Sequence, residues 1–256
     1  MDLNEIEQRL AQSGIENALH EARILREELQ GEALAAAIER RCAGYPLQYL
    51  IGKWDFYRET YEVAECCLIP RADTEHLVEQ TIKRLPAEGS FLDLCTGSGC
   101  VAISTLCARP DATAMAVDLF DDTLALAARN AKRNGVSDRL AFAKADVLSA
   151  PSHTWAGKQF DVIVSNPPYI RADVMPELQR EVHHEPFAAL CGGEDGLDFY
   201  RSIVEKWRPL LKTGGCFLFE IGYDQAQALT ALGHAQGMAV EVFRDYGGND
   251  RVVYLK

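Results

Sequence analysis

Phe91-Leu92-Asp93-Leu94-Cys95-Thr96-Gly97-Ser98-Gly99 is an apolar run that breaks into a glycine-bearing turn, and Cys100-Val101-Ala102-Ile103 opens a helix behind it. Glycines in such a turn let the backbone bend tightly and approach a ligand closely. The spacing Gly97-x-Gly99, followed by Ala102, stands near the dinucleotide pattern G-x-G-x-x-G/A. The loop alone therefore leaves a dinucleotide, another nucleoside cofactor and a plain strand-to-helix turn all open.

Downstream, the pattern alternates. Helix 100–108 leads to strand 113–118, helix 121–134, strand 140–145 and strand 160–165. Helix 197–211, strand 215–221 and helix 224–236 come next, and the chain closes on strands near 238–244 and 251–255. Strands separated by helices of this length predict an α/β fold with βαβ units and a mainly parallel sheet. The helix-free ending, turned by Gly247-Gly248-Asn249-Asp250, predicts an antiparallel C-terminal hairpin at the sheet edge. Upstream, a helix near 74–85 precedes the glycine loop. Residues 53–69, aromatic and β-branched, predict a hairpin inside a linking segment over 53–73. Before them, apolar residues at helical spacing over 3–12, 16–30 and 32–43, stopped by Gly44 and Pro46, predict a small helical domain over residues 1–52. The main domain then spans 74–256.

Composition narrows the function classes. The 256 residues are 48% hydrophobic and 25% charged, ordinary for a globular protein. No apolar run is long enough to span a membrane, and the acidic, amphipathic start has no signal-peptide core, so a cytoplasmic location is expected. The formal charge is −12, shared evenly between residues 1–70 and the remainder. No basic footprint for direct nucleic-acid binding is visible. Eight cysteines include no C-x-x-C pair and no zinc spacing with histidine, so reduced thiols and no metal are expected.

In sheets of this kind ligands bind beyond the carboxyl ends of the strands. Asp118, ending the next strand, can accept hydrogen bonds from a ribose diol, which suits NAD and S-adenosylmethionine equally. Asp121 and Asp122 are available to cap the following helix, which leaves Asp118 for a ligand. Asp146 can accept from an adenine amino group or serve its own turn, and Val147 can pack on the ring.

The run Ser165-Asn166-Pro167-Pro168-Tyr169 decides between the cofactors. An amide or exocyclic amine is a weak nucleophile, and a methyltransferase must hold its nitrogen in line with the donor methyl. Carbonyl acceptors can bind both N–H hydrogens: Asn166 offers a side-chain oxygen, and Pro167 a backbone oxygen with no competing donor. These dipoles also favour the positive charge that develops on nitrogen. Tyr169 can stack on a planar group. Hydride transfer calls for none of this. Asn166, Pro167 and Tyr169 are the candidate catalytic residues, and Asn166 to Tyr169, Pro168 included, the candidate substrate site. His183 and His184 read as a polar loop over the site, since no proton abstraction by histidine is needed.

Leu68-Ile69-Pro70-Arg71-Ala72-Asp73-Thr74-Glu75, Leu92 to Gly99, Val164 to Ile170, Gly193-Glu194-Asp195-Gly196-Leu197-Asp198-Phe199-Tyr200, Phe219-Glu220-Ile221-Gly222 and Asp245 to Val253 together resemble the peptide chain release factor glutamine N5-methyltransferases, the PrmC/HemK family, over nearly the whole chain. The Asn-Pro-Pro-Tyr loop is shared with nucleic-acid amino-methyltransferases; the segments at 68–75 and 195–200 are more particular to the glutamine enzymes. The resemblance implies a Rossmann-like class I S-adenosylmethionine-dependent methyltransferase fold, a seven-stranded mixed sheet behind a helical N-terminal domain and a hairpin. It implies methylation of the glutamine in the Gly-Gly-Gln motif of release factors, the proteins of translation termination. It places cofactor contacts on Cys95, Thr96, Gly97, Ser98, Gly99, Asp118, Asp146, Val147 and Asn166. Arg71, Asp73 and Glu75 fall in the family's interdomain segment, with Asp73 or Thr74 as a helix cap. Three features depart from the pattern: Cys95 replaces the usual glycine, where a side chain fits if φ is negative; Ala72 replaces a proline; and the N-terminal unit, which grips the release factor in the family, is short. The readings held against this one are an N6-adenine or N2-guanine type nucleic-acid methyltransferase and a non-catalytic scaffold.

Overall fold

The computed structural model describes all 256 residues, Met1–Lys256. The chain begins with four helices, α1 Leu3–Gln12, α2 Ala18–Glu28, α3 Gly31–Cys42 and the short α4 Leu47–Ile51. Ile6 and Leu10 on α1, and Ala18, Ala22 and Leu25 on α2, recur at helical spacing and face inward. With Ile38 and Leu47 they form a core of their own, separate from the two cores of the sheet. Helix α4 lies beyond the stop read at Gly44 and Pro46. Pro46 sits immediately before it with φ −58°, a value that starts a helix as readily as it ends one.

Strands β1 Lys53–Phe56 and β2 Glu59–Glu62 pair antiparallel, Trp54 opposite Tyr61. The hairpin is shorter than the expected 53–69. Beyond it the Cys66 carbonyl accepts from the Thr123 hydroxyl at 2.8 Å and the Cys67 carbonyl from the Tyr49 hydroxyl at 2.6 Å. Those side-chain donors replace a partner strand, and the segment runs as an irregular wall.

Seven strands build the main sheet: β3 Ser90–Leu94, β4 Thr113–Asp118, β5 Leu140–Lys144, β6 Phe160–Ser165, β7 Leu211–Glu220, β8 Val240–Arg244 and β9 Asp250–Leu255. Their order is β5-β4-β3-β6-β7-β9-β8. The first five positions are parallel; β9 is antiparallel to both neighbours, with β8 at the edge, as the expected hairpin requires. The expected seven-stranded α/β fold is therefore present. The helices are α5 Glu75–Arg84, α6 Cys100–Ala108, α7 Asp121–Arg133, α8 Phe187–Leu190, α9 Asp198–Ser202 and α10 Ala226–Ala235. Helix α9 runs on as a π-turn over Ile203–Trp207. Strand β7 starts at Leu211 rather than 215, because Phe160 pairs with Leu211 before the register jumps to Val162 opposite Cys216.

One face of the sheet packs on α5, α6 and α7, the other on α9, its π-turn and α10. Helix α6 is apolar on all sides, and Cys100 through Leu106 are buried. The hairpin covers it: Tyr61, fully buried, sets its hydroxyl 2.6 Å from Ser104 Oγ. Asn130 on α7 pins the same hairpin, donating to the Glu62 carbonyl at 3.0 Å and accepting from Glu62 N at 2.7 Å. Burying a ring of this size contributes about 3 kcal/mol.

The chain moves outward from β3 through β4 to β5, then returns to the other side of β3 as β6. That reversal leaves a crevice beyond the carboxyl ends of β3 and β6. The glycine loop and the Asn166–Tyr169 loop are thereby neighbours, though 67 residues separate Gly99 from Asn166 in sequence.

Candidate active site

A cavity of about 490 Å³ opens at this reversal, a size typical of small-molecule sites. Cys95, Thr96, Gly97 and Ser98 line its floor, Asp118, Leu119 and Phe120 one side, Asp146, Val147 and Leu148 another, and Asn166 and Pro168 the far end. Gly99 stands just behind as the left-handed N-cap of α6, with φ +81°.

The floor departs from expectation at one residue. Cys95 has φ +59°, in the left-handed region, where a negative value was expected. The strand must turn there so that Thr96 N reaches the Val117 carbonyl at 3.0 Å and Gly99 N the Thr96 carbonyl at 2.9 Å. A side chain in that conformation costs about 1 kcal/mol or more relative to glycine. Burial pushes the Cys95 thiol well up, so it is a neutral wall group. Gly97 has φ +55°, and a Cβ there would meet only Cys67 Cβ at 4.0 Å. The space beside it is open, and its backbone can lie directly against a ligand.

Beneath the loop Asp93 is buried and accepts from the Thr96 hydroxyl at 2.6 Å. Burial raises its carboxyl to about 7 against that bond. Asp118 Oδ2 accepts from Gly97 N at 3.0 Å; Oδ1 accepts from Leu119 N at 2.8 Å and Phe120 N at 3.3 Å. Burial raises this carboxyl too, and the three backbone donors oppose the rise. Of the two acids expected to cap the next helix, Asp122 accepts from Thr123 N in the first turn of α7 at 2.9 Å, while Asp121 pairs with Lys144 at 2.5 Å. Asp118 thus organises the loop and still faces the cavity. Asp146 accepts from Leu148 N at 2.9 Å and from the Ser149 hydroxyl at 3.3 Å, the turn role. Val147 is buried, and its carbonyl accepts from the Ser202 hydroxyl at 2.8 Å and Trp207 Nε1 at 3.1 Å, which fixes that wall.

At the far end, Asn166 Nδ2 donates to Thr74 Oγ1 at 3.2 Å, which leaves Asn166 Oδ1 for the cavity. Thr74 therefore works across the cavity end instead of capping α5, where it makes no side-chain cap bond. No hydrogen bond within the chain uses the Pro167 carbonyl. Pro167 and Tyr169 are not on the cavity wall. The Tyr169 phenol lies in the field of Glu220, Arg251 and Asp73, and burial pushes it up. Its carbonyl accepts from Gln225 Nε2 at 3.0 Å. Gly192 backs the same loop: a Cβ there would sit 2.6 Å from the Pro168 carbonyl and 2.7 Å from Tyr169 Cα, so no other residue permits this approach.

The segment after the loop ties the cavity to the helical unit. Buried Arg41 pairs with Glu21 and, at 2.7 Å, with Glu181; Arg180 Nη2 donates to the Cys42 carbonyl at 3.1 Å. Arg71 pairs with buried Glu185, Asp73 with Arg251 at 3.1 Å, and Glu75 accepts from Tyr57 N at 3.0 Å. All three acid or base groups of the 71–75 segment thus bridge elements. His183 and His184 are exposed and off the cavity wall, and His184 sets its ring edge toward Tyr45 at 5.1 Å. Sequence reasoning missed Thr74 as a partner of Asn166, the apolar rim Leu119, Phe120, Leu148 and Phe187, and Glu220. The signal for Glu220 was available, as a lone acid ending the apolar run Cys216-Phe217-Leu218-Phe219.

Comparison with known proteins now bears on this geometry. Residues 72–189 match the methyltransferase small domain. A release factor glutamine methyltransferase of Salmonella typhimurium is 41% identical over 228 residues, 88% of this chain and 80% of that protein. One of Moorella thermoacetica is 39% identical, over 97% of this chain and 95% of its own length. Among solved structures, the hMettl16 catalytic domain in complex with MAT2A 3'UTR hairpin 1 superposes with TM-score 0.63 over 96% of this chain and 90% of that one, at 14% identity. A methyltransferase of Pyrococcus furiosus superposes with TM-score 0.58 over 76% and 87%, at 18%. At those identities the structures speak for the fold, while the two sequence relatives span nearly everything from the helical unit to the last strand. The chain belongs to the release factor glutamine methyltransferases, enzymes built on the class I methyltransferase fold.

Proposed function

We propose that this enzyme transfers a methyl group from S-adenosylmethionine to the side-chain amide nitrogen, N5, of the glutamine in the Gly-Gly-Gln motif of a peptide chain release factor. The observation that carries the reading is Asn166, which lines the cavity end and gives its amide nitrogen to Thr74, so that its amide oxygen has no partner within the chain.

The residues present suit the cofactor. The open space beside Gly97 suits a closely held amino-acid portion, with Cys95, Thr96, Ser98 and Gly99 completing the turn. Asp118 suits a ribose diol. Val147 with Leu119, Phe120 and Leu148 offers apolar surface to an adenine ring, and Asp146 an acceptor at its edge. S-adenosylmethionine, when bound, supplies an electrophilic methyl group together with its leaving group.

The chain's own residues do the rest. Asn166 Oδ1 and the Pro167 carbonyl accept the two amide hydrogens and orient the nitrogen. The same two dipoles stabilise positive charge developing there. Pro168 closes the wall. Tyr169, beside Glu220 and Arg251, packs against the core and holds the loop from behind. No strong base is needed beforehand, because the nitrogen gives up a proton readily once alkylated. The helical domain 1–52, joined through 53–73 to the methyltransferase domain 74–256, serves as the recognition surface for the release factor; the Arg41–Glu181 pair couples it to the cavity segment. A release factor as partner also accords with a cytoplasmic location. No helix is long and apolar enough to cross a membrane, and the net charge of −12 does not favour a direct nucleic-acid substrate.

The test incubates the protein with methyl-labelled S-adenosylmethionine and, in separate arms, a purified release factor and a mixed nucleic-acid pool. Mass spectrometry locates the methyl group. A single methyl on the Gly-Gly-Gln glutamine is expected, absent with Asn166→Ala. Label in nucleic acid alone would overturn the substrate assignment.

A further inference from the structure

Glu220 ends β7 directly behind the Asn166 loop, 2% exposed, and its Oε2 has no hydrogen-bond partner. An unpaired buried carboxylate oxygen costs several kcal/mol when charged, so proteins rarely keep one without use. Its surroundings come from every element packed on it. Thr74 and Asp73 face it from the turn before α5, Asn166 and Tyr169 from the loop after β6, and Arg251 from β9. Tyr200 on α9 donates to its backbone carbonyl at 2.8 Å, and the Cys100 thiol of α6 feels its charge. Asp245 holds Arg251 at 3.1 Å. Of the uncharged donors in this set, Tyr200 is spent on the Glu220 backbone carbonyl, while Asn166 and Thr74 are bonded to each other at the cavity end.

The donor count is decisive. Thr74 Oγ1 accepts from Asn166 Nδ2, so the Thr74 hydroxyl hydrogen points elsewhere; no acceptor in the chain takes it, and the nearby Glu220 Oε2 is an acceptor without a donor. We propose that Glu220 is a positioning residue that acts through Thr74 to hold the Asn166 carboxamide with its oxygen toward the substrate nitrogen. This rests on the methyl-transfer reading above.

An ionised Glu220 only accepts. Thr74 must then donate to it, Thr74 Oγ1 must accept from Asn166 Nδ2, and Asn166 Oδ1 is left for the substrate. A protonated Glu220 can donate to Thr74 Oγ1. The Thr74 hydroxyl hydrogen is then free for Asn166 Oδ1, and the amide turns its NH2 toward the cavity. Two donors would then face the two N–H hydrogens of the substrate amide. Burial raises the Glu220 carboxyl to about 7, with Thr74, Arg251 and Asn166 opposing and Asp73 adding to the rise. The two orientations therefore exchange near neutral pH.

The experiment pairs kinetics with nuclear magnetic resonance on the full chain. With a release factor as substrate, wild-type kcat should rise about tenfold from pH 6 to pH 8. Glu220→Gln should lower kcat at pH 8 by ten- to a hundredfold and flatten that limb, with KM for the release factor and Kd for S-adenosylmethionine within twofold of wild type. Thr74→Val should do the same, and the double variant should lose no more than the worse single one. The Asn166 side-chain NH2 resonances of 15N-labelled protein should titrate near pH 7 in the wild type and not in Glu220→Gln. A Glu220→Gln enzyme with wild-type kcat and an intact acid limb would overturn the proposal, and so would Asn166 resonances indifferent to pH between 6 and 8. If Glu220→Gln does not fold, the wild-type titration and Thr74→Val decide. If wild type methylates no release factor, the methyl-transfer reading fails by itself, and the resonance titration still judges the positioning role.

Discussion

Acidification from pH 7.5 to pH 5.5 should make this protein more stable, the reverse of the usual behaviour of an acidic chain's carboxylates. Asp93 and Glu220 are both buried and both raised to about 7. A carboxyl raised in the folded state contributes stability that is fully present below its unfolded pKa, near 4, and is lost as pH rises through the folded value. Between pH 5.5 and 7.5 the folded chain binds more protons at these sites than the unfolded chain, so stability falls with pH. Each contributes about 2 kcal/mol across that interval. For a domain of this size 1 kcal/mol moves Tm by about 2–4 °C. Allowing for relaxation around both groups, Tm should be higher at pH 5.5 by about 5–10 °C. Asp118, also raised, acts in the same direction. Glu62, Asp161 and Asp195 are lowered by Arg129, Lys212 and Arg201, and their contribution is lost only below about pH 4. Cys66, drawn down to about 7 by the Cys67 thiol, favours the folded chain only as pH rises above 7. Differential scanning calorimetry at constant ionic strength measures the effect. Glu220→Gln should raise Tm at pH 7.5 and remove about half of the pH dependence. A flat profile, or a Tm that climbs with pH from 5.5 to 7.5, would refute the assignment of buried, raised carboxyls; so would an unchanged slope in Glu220→Gln.

Asn166→Ala should lower kcat at least a hundredfold, about 3 kcal/mol for an acceptor aimed at developing charge, while calorimetric Kd for S-adenosylmethionine changes less than fivefold; comparable losses in both would contradict the division of roles. Asp118→Ala should weaken cofactor binding by about a hundredfold, since it also leaves Gly97 N unpaired, and an unchanged Kd would end the ribose assignment. Arg41→Ala should destabilise the protein by about 3 kcal/mol in urea titration, because Glu21 would lose its buried partner. Gly192→Ala should abolish turnover and lower Tm, because its Cβ cannot coexist with the Pro168 carbonyl at 2.6 Å; wild-type behaviour would mean the loop is not backed as described.

Much of this molecule is local information. The run from Phe91 to Gly99, the apolar strand before Asn166 and the spacing of Leu3, Ile6 and Leu10 name their elements because strand and helix periods are written in neighbouring side chains. The Asn-Pro-Pro-Tyr loop and the strand-end acids nominate a site for the same reason, since each motif's chemistry lies within ten residues. Element ends were less legible where tertiary partners set them. Thr123 and Tyr49 end the hairpin early by binding the carbonyls of Cys66 and Cys67, and a register jump against β6 starts β7 early. What only the folded chain decides is the direction and company of the polar groups. Cys95 turns left-handed to satisfy Thr96 and Gly99, and Asp118 gathers the amides of Gly97, Leu119 and Phe120 from two separate loops. Thr74 abandons its helix to meet an amide 92 residues away, and Glu220 is left buried behind both. Hydrogen bonds couple groups by distance in space, and a linear pattern of residue types carries no record of which donors a closed sheet will bring together.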